Sequence, residues 1–127
     1  MEEEEVRRRR PIHPRLHLFS HSFIQVVTVL EAEDLPWMDL FSPANGYVRA
    51  FVGSGRAART RVVPNSSNPV WNQDLPLLVH APAHTLKAVV MDFDRLDRDD
   101  EVGRCSVDLS TLTPGEPADL WLDLDRP

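Results

Sequence analysis

Apolar and polar positions alternate in short runs along most of the chain, with the period of β-strands and not of helices. Phe23-Ile24-Gln25-Val26-Val27-Thr28-Val29-Leu30 is rich in β-branched side chains and predicts a strand running out into the polar residues 31–34. A second strand is predicted over 47–52. It turns at Gly53-Ser54-Gly55, where glycine accepts the positive φ of a tight hairpin, and returns over 57–63. Pro64-Asn65-Ser66-Ser67-Asn68-Pro69 is a loop by composition. Trp71 leads the next strand to Val79, and Pro76 within it points to a sheet edge or a bulge. Residues 80–84 carry two prolines and predict a loop with solvent-exposed histidines. Strands follow over 85–91, 102–109 and 120–124, the last two separated by a turn at Thr113-Pro114-Gly115. Residues 15–20 alternate weakly, as a short edge strand would. Cys105 shares a strand face with Val107 and reads as a small core residue, and Trp71 and Trp121 as core or rim packing. Seven clear strands without a convincing helix predict an all-β sandwich.

Composition narrows the function more than the fold. At 127 residues the chain is long enough for one domain with its own core. A formal net charge of -6 argues against nucleic acid as a partner, since phosphate binding wants a basic footprint. One cysteine forms no internal disulfide, no apolar stretch nears the roughly 20 residues of a membrane span, and the start lacks a secretory pattern. A cytoplasmic location is the expectation. Within residues 1–20, the glutamates at 2–5 and the arginines at 7–10 cancel in charge and bury nothing, so this part is expected to be a disordered or weakly ordered tail before a domain over 21–127. His13, His17 and His21 have a metal-ligand spacing for a helix, but Pro14 breaks that register.

The candidate chemistry lies in Asp92-Phe93-Asp94-Arg95-Leu96-Asp97-Arg98-Asp99-Asp100-Glu101, between an apolar run and Val102-Gly103. So many carboxylates repel one another unless a cation sits among them, and a hard divalent ion such as calcium is the simplest candidate. A solvated acidic hairpin tip is the alternative. An EF-hand starting at Asp92 fails, because Leu96 takes the fifth position, Asp97 the glycine position and Gly103 the glutamate position. No nucleophile with a base and no phosphate-binding glycine loop is present, so no enzyme is expected. A second acidic loop, holding Asp34 and Asp39, separates the first two clear strands, and sandwich loops at one end come together.

Four segments resemble a C2 domain: Val27 through Leu35 to Tyr47-Val48; Arg59-Thr60-Arg61-Val62; Asn68-Pro69-Val70-Trp71-Asn72; and Val90-Met91-Asp92-Phe93-Asp94 followed by Asp99-Asp100-Glu101-Val102-Gly103. They come in the family's order and cover about residues 23–124. Asp92-Phe93-Asp94-Arg95 is similar to the third loop of synaptotagmins, and the short hairpin at Gly53 to perforin-type and plant-type members. The resemblance implies an eight-stranded antiparallel Greek-key β-sandwich, with residues 15–20 as the eighth strand or the chain stopping short of it. It implies a Ca2+ site with Asp39, Asp92, Asp94 and Asp100 as ligands, Asp97 as a further one, and the carbonyls of Met38 and Phe93 completing the shell. Asn45 stands where the family usually has aspartate, followed by Gly46 in place of proline. One ligand charge is lost, which implies binding that survives but weakens. Trp37, Leu40, Phe41 and Leu96 would meet an anionic phospholipid membrane, with Arg95 and Arg98 at headgroup level. Arg56, Arg59 and Arg61 would form a lateral basic patch for phosphoinositides. The implied function is calcium-dependent, reversible membrane binding. A calcium-independent protein-interaction module, with protein partners, is the other function the resemblance allows.

Overall fold

The computed structural model describes residues 13–21, 24–79 and 84–127. Among the described residues eight strands follow in order: β1 (His13–His21), β2 (Ile24–Glu33), β3 (Gly46–Val52), β4 (Ala58–Arg59), β5 (Val70–Leu78), β6 (Thr85–Asp92), β7 (Asp100–Asp108) and β8 (Ala118–Trp121). They form two four-stranded antiparallel sheets, ordered β5-β2-β1-β8 and β4-β3-β6-β7. The architecture is the expected sandwich. Among the described residues no helix is long and apolar enough to cross a membrane.

Two expectations change. β1 is no tail and no edge: it lies between β2 and β8, so the boundary expected at 21 falls inside the sheet, and ordered structure reaches back to His13. Pro14, Leu16 and Leu18 are buried while Arg15, His17 and Phe19 face outward, so three apolar side chains suffice for a strand flanked on both sides. The expected return strand over 57–63 contracts to Ala58–Arg59. Thr60 is the cause. Its amide donates to the Val48 carbonyl (2.9 Å), and its hydroxyl accepts the Val48 N–H (3.0 Å) in place of a ladder carbonyl. The Arg61 amide then turns away to Gln73 Oε1 (2.8 Å). Of the two places open to Trp121 it takes the rim: it sits 46% exposed on the outer face, with the Arg15 guanidinium 5.7 Å from its ring centre. Pro76 does lie on an edge, since β5 ends its sheet. His84 is exposed as expected, whereas His80 and Phe23 lie outside the described residues.

The core lies between the sheets. Leu16, Leu18, Val27 and Val29 on one side meet Val48, Leu86, Val90 and Val102 on the other, all essentially inaccessible. Trp71 is fully buried, and its indole N–H donates to the Gly46 carbonyl (3.1 Å), satisfying the only polar atom of that side chain. Gly46 is held in place: its amide and carbonyl pair with Val63 at 3.1 and 2.9 Å. Cys105 is buried, and burial pushes its thiol pKa up to about 12, which leaves it inert. The segment after β8 returns across β7, with Arg104 and Asp125 exchanging two backbone hydrogen bonds of 2.8 Å. Gly103 makes that crossing possible, because a Cβ there would stand 2.7 Å from both the Asp125 carbonyl oxygen and Leu124 Cγ. Gly103→Ala is therefore expected to destabilise by about 1–3 kcal/mol through overpacking, seen as a lower midpoint in urea with an unchanged slope.

Candidate functional site

The ladder register builds the site. Asp92 ends β6 and Asp100 starts β7, directly opposite each other, with Gly46 of β3 on the other side of Asp92. Like charges directly opposed across a ladder are destabilising, and Asp92 is only 9% exposed. Burial, then the charges of Asp100, Asp39 and Asp94, push the Asp92 pKa up, against a lowering contribution from the Asn45 N–H that its Oδ1 accepts (2.8 Å). The Asn45 amide, in the loop that carries Asp39, reaches Asp92, so the two acidic loops meet at one end of the sandwich. Among the described residues none of Asp39, Asp92, Asp94, Asp97 or Asp100 belongs to an ion pair.

Local turns hold these carboxylates. Asp39 Oδ1 accepts the amides of Phe41 (2.8 Å) and Ser42 (3.0 Å), which hold its pKa below the usual carboxylate value. Asp94 Oδ1 accepts the Leu96 amide (2.9 Å), and Asp97 Oδ1 that of Arg98 (2.8 Å). Among the described residues no three His, Cys, Asp or Glu side chains are gathered into a group that could hold a metal ion. The donor set is nonetheless all oxygen, as calcium requires, and an ionised carboxylate has lone pairs beyond the one or two used here. The chemistry of the residues fits a hard cation; the side chains of Asp39, Asp92, Asp94 and Asp97 are turned to backbone amides.

Asn45 is committed to the loops themselves. Its amide and carbonyl bond Asp92 and the Phe93 amide (both 2.8 Å), its Oδ1 accepts the Asn65 amide (2.9 Å), and its Nδ2 donates to the Phe93 carbonyl (3.5 Å). The asparagine oxygen and the Phe93 carbonyl, both expected ligands, are thus already used, the first in tying the Asn45 loop to the 64–69 loop and the second in tying it to the acidic loop after β6. Met38 lies 36% exposed.

Around the carboxylates the surface is apolar and wet. Leu40 is 88%, Phe41 89%, Leu96 93% and Trp37 54% exposed. Arg95 lines a pocket of about 300 Å³ with Asn45, Val62, Pro64 and Phe93, and Arg98 is exposed on the same loop. Arg56, Arg59 and Arg61, expected as one lateral patch, each have a different neighbour. Arg56 borders a separate pocket with Pro76, Leu77 and Leu78, Arg61 donates to the Trp71 carbonyl, and Arg59 lies 4.1 Å over the Tyr47 ring. Arg49, paired with Arg59 in the ladder, is the neighbour that strand alternation predicts once the register is known.

Two acidic residues that would pass for solvated ones have partners. Asp99 Oδ1 accepts the Asp94 amide (2.9 Å) and its Oδ2 the Tyr47 hydroxyl, and these bonds, in that order, lower its pKa. Glu101 pairs with Arg104, which lowers its pKa likewise.

A family model described as "C2 domain" matches residues 24–124. Among curated proteins, the chain is 38% identical over 102 residues to synaptotagmin-5 of Arabidopsis thaliana, covering 79% of this chain and 18% of that protein. It is 31% identical over 106 residues to synaptotagmin-1 of Caenorhabditis elegans, covering 80% and 24%. It is 37% identical over 93 residues to cytosolic phospholipase A2 delta of Mus musculus, covering 71% and 11%. The chain thus spans a quarter or less of the length of these relatives. Among solved structures, a C2 domain of RIM from Drosophila superposes with a TM-score of 0.73 at 22% identity, covering 89% of this chain and all of that one.

Proposed function

Since the chain belongs to the C2 domain family, we propose that it is a non-catalytic module that binds anionic phospholipid membranes when calcium is present. The observation that carries this reading is the buried Asp92, opposed across the ladder by Asp100 and raised in pKa by burial and by the charges of Asp100, Asp39 and Asp94, with no cationic side chain paired to any of them among the described residues. Asp39, Asp92, Asp94 and Asp100 would hold the ion, with Asp97 beside them. Calcium, when bound, supplies positive charge that cancels theirs and attracts lipid phosphate.

The chain's own residues do the rest. Ionised and without a cation, the acidic loops are repelled by an anionic surface. With their charge cancelled, Leu40, Phe41 and Leu96 enter the interface, Trp37 follows at its edge, and Arg95 and Arg98 stay at headgroup level. Membrane association from the cytoplasm is then reversible with the calcium concentration.

A thermal melt in millimolar calcium and in chelator tests the reading, because a ligand of the folded state alone must raise the melting temperature. A rise of several degrees is expected. A calcium-independent protein-interaction role, favoured by the engagement of Asn45 with Asn65 and Phe93, predicts superimposable melts.

A further inference from the structure

The acidic loop between β6 and β7, residues 93–99, is exposed over most of its length; Phe93 ties its start to Asn45, and Asp99 ties its far end to the sandwich. Asp99 accepts the Tyr47 hydroxyl with one oxygen and the Asp94 amide (2.9 Å) with the other. Tyr47 is only 3% exposed and belongs to β3, an inner strand of its sheet, and Arg59 covers its ring at 4.1 Å. Asp94 in turn accepts the Leu96 amide (2.9 Å). A continuous chain of contacts thus runs from β3 through Tyr47, Asp99 and Asp94 to the exposed tip at Leu96.

We propose that Asp99 is a positioning residue for the cation site: it clamps the third loop to Tyr47 and so fixes the backbone that carries Asp94. The proposal rests on the reading of the acidic loops as a calcium site. Asp99 spends both oxygens on these two bonds, whereas Asp39 and Asp94 each spend only one. Its contribution is preorganisation, because a loop already held in place loses less freedom when its carboxylates close on an ion. Hydrogen bonds to an ionised carboxylate are the strong ones, and one of these is anchored in the buried surroundings of Tyr47.

Removing the clamp and removing a charge are separable by choice of variant. Asp99→Ala deletes both. Asp99→Asn deletes the charge, but its oxygen can accept the Asp94 amide while its NH2 donates to the Tyr47 oxygen. Tyr47→Phe deletes the clamp and leaves every charge in place. In calorimetric titrations with calcium chloride, Asp99→Ala is expected to bind about tenfold more weakly than the parent and Tyr47→Phe several-fold more weakly. Asp99→Asn should stay close to the parent, and the Asp99→Ala/Tyr47→Phe double variant should be no weaker than Asp99→Ala alone, since the two residues act as one unit. In chelator, hydrogen exchange of the Asp94 amide should quicken in Asp99→Ala and Tyr47→Phe while the β6 amides hold. Parent-like binding by Tyr47→Phe, together with Asp99→Asn as weak as Asp99→Ala, would reveal a through-space charge effect and overturn the clamp. If the parent binds no calcium, the functional reading falls and takes the clamp with it; if the parent binds and all variants match it, only the clamp falls.

Discussion

Asp92→Asn is expected to raise the melting temperature in chelator and to abolish most of the rise that calcium produces. The two halves have opposite signs for one reason. A carboxyl whose folded pKa lies above its unfolded value contributes stability that is complete below the unfolded value and is lost as pH rises through the folded one. Asp92 is such a group, raised first by burial and then by Asp100, Asp39 and Asp94. At neutral pH its ionised form therefore opposes folding in the absence of a cation. Asparagine keeps an oxygen for the Asn45 amide and carries no charge, so the chelator-state variant gains stability at pH 7. That gain should shrink as the pH falls towards the acidic range, where parental Asp92 is itself neutral. In calcium the balance reverses, because a central carboxylate is missing. Truncating one partner of a buried charge pair costs about 2 kcal/mol or more, so calcium should bind at least about thirtyfold more weakly. Calorimetry and melts on the same samples check both halves. A variant less stable than the parent in chelator, with calcium affinity intact, would show that Asp92 is an ordinary structural carboxylate.

Replacing Leu40, Phe41 and Leu96 together by serine is expected to weaken vesicle binding by about a thousandfold or more while leaving calcium affinity in solution within about twofold. Each of these side chains is close to nine-tenths exposed, so none contributes to the core, and the melting temperature should not fall. Transfer of one such side chain from water to an apolar phase is worth about 1.5–3 kcal/mol, about ten- to a hundredfold in affinity when the insertion is complete. Leu96→Ser alone should therefore reveal a loss of at least tenfold. Flotation of the variants with phosphatidylserine vesicles in saturating calcium provides the comparison. If the triple variant floats like the parent, the apolar rim does not enter the bilayer and headgroup contacts alone hold the domain.

Most of the fold was legible because its strands bury one face and solvate the other, which writes itself as alternation: β2, β3, β5, β6 and β7 all sit where that pattern puts them. β1 was faint, since Leu16 and Leu18 are its main apolar core contribution and its other face carries Arg15 and His17. β4 looked longer than it is because the Thr60 hydroxyl, taking the Val48 amide, is a local choice that propensity does not encode. At the site, the clustering of carboxylates was visible as a charge run, and Asp92 stood out by following an apolar strand. Asp99 could not be told from its neighbours, because its role depends on Tyr47, brought opposite it only by the pairing of β3 with β6. The same holds for Arg61: Arg56 and Arg59 lie close to it in sequence, but its guanidinium is drawn to the Trp71 carbonyl at the edge of the other sheet.

Cosedimentation with vesicles containing phosphatidylserine, over a calcium titration from chelator to millimolar, tests the central claim most directly. The parent chain should remain in the supernatant in chelator and move to the pellet as calcium rises, and should stay in the supernatant throughout with vesicles of phosphatidylcholine alone. Equal pelleting in calcium and in chelator would contradict it.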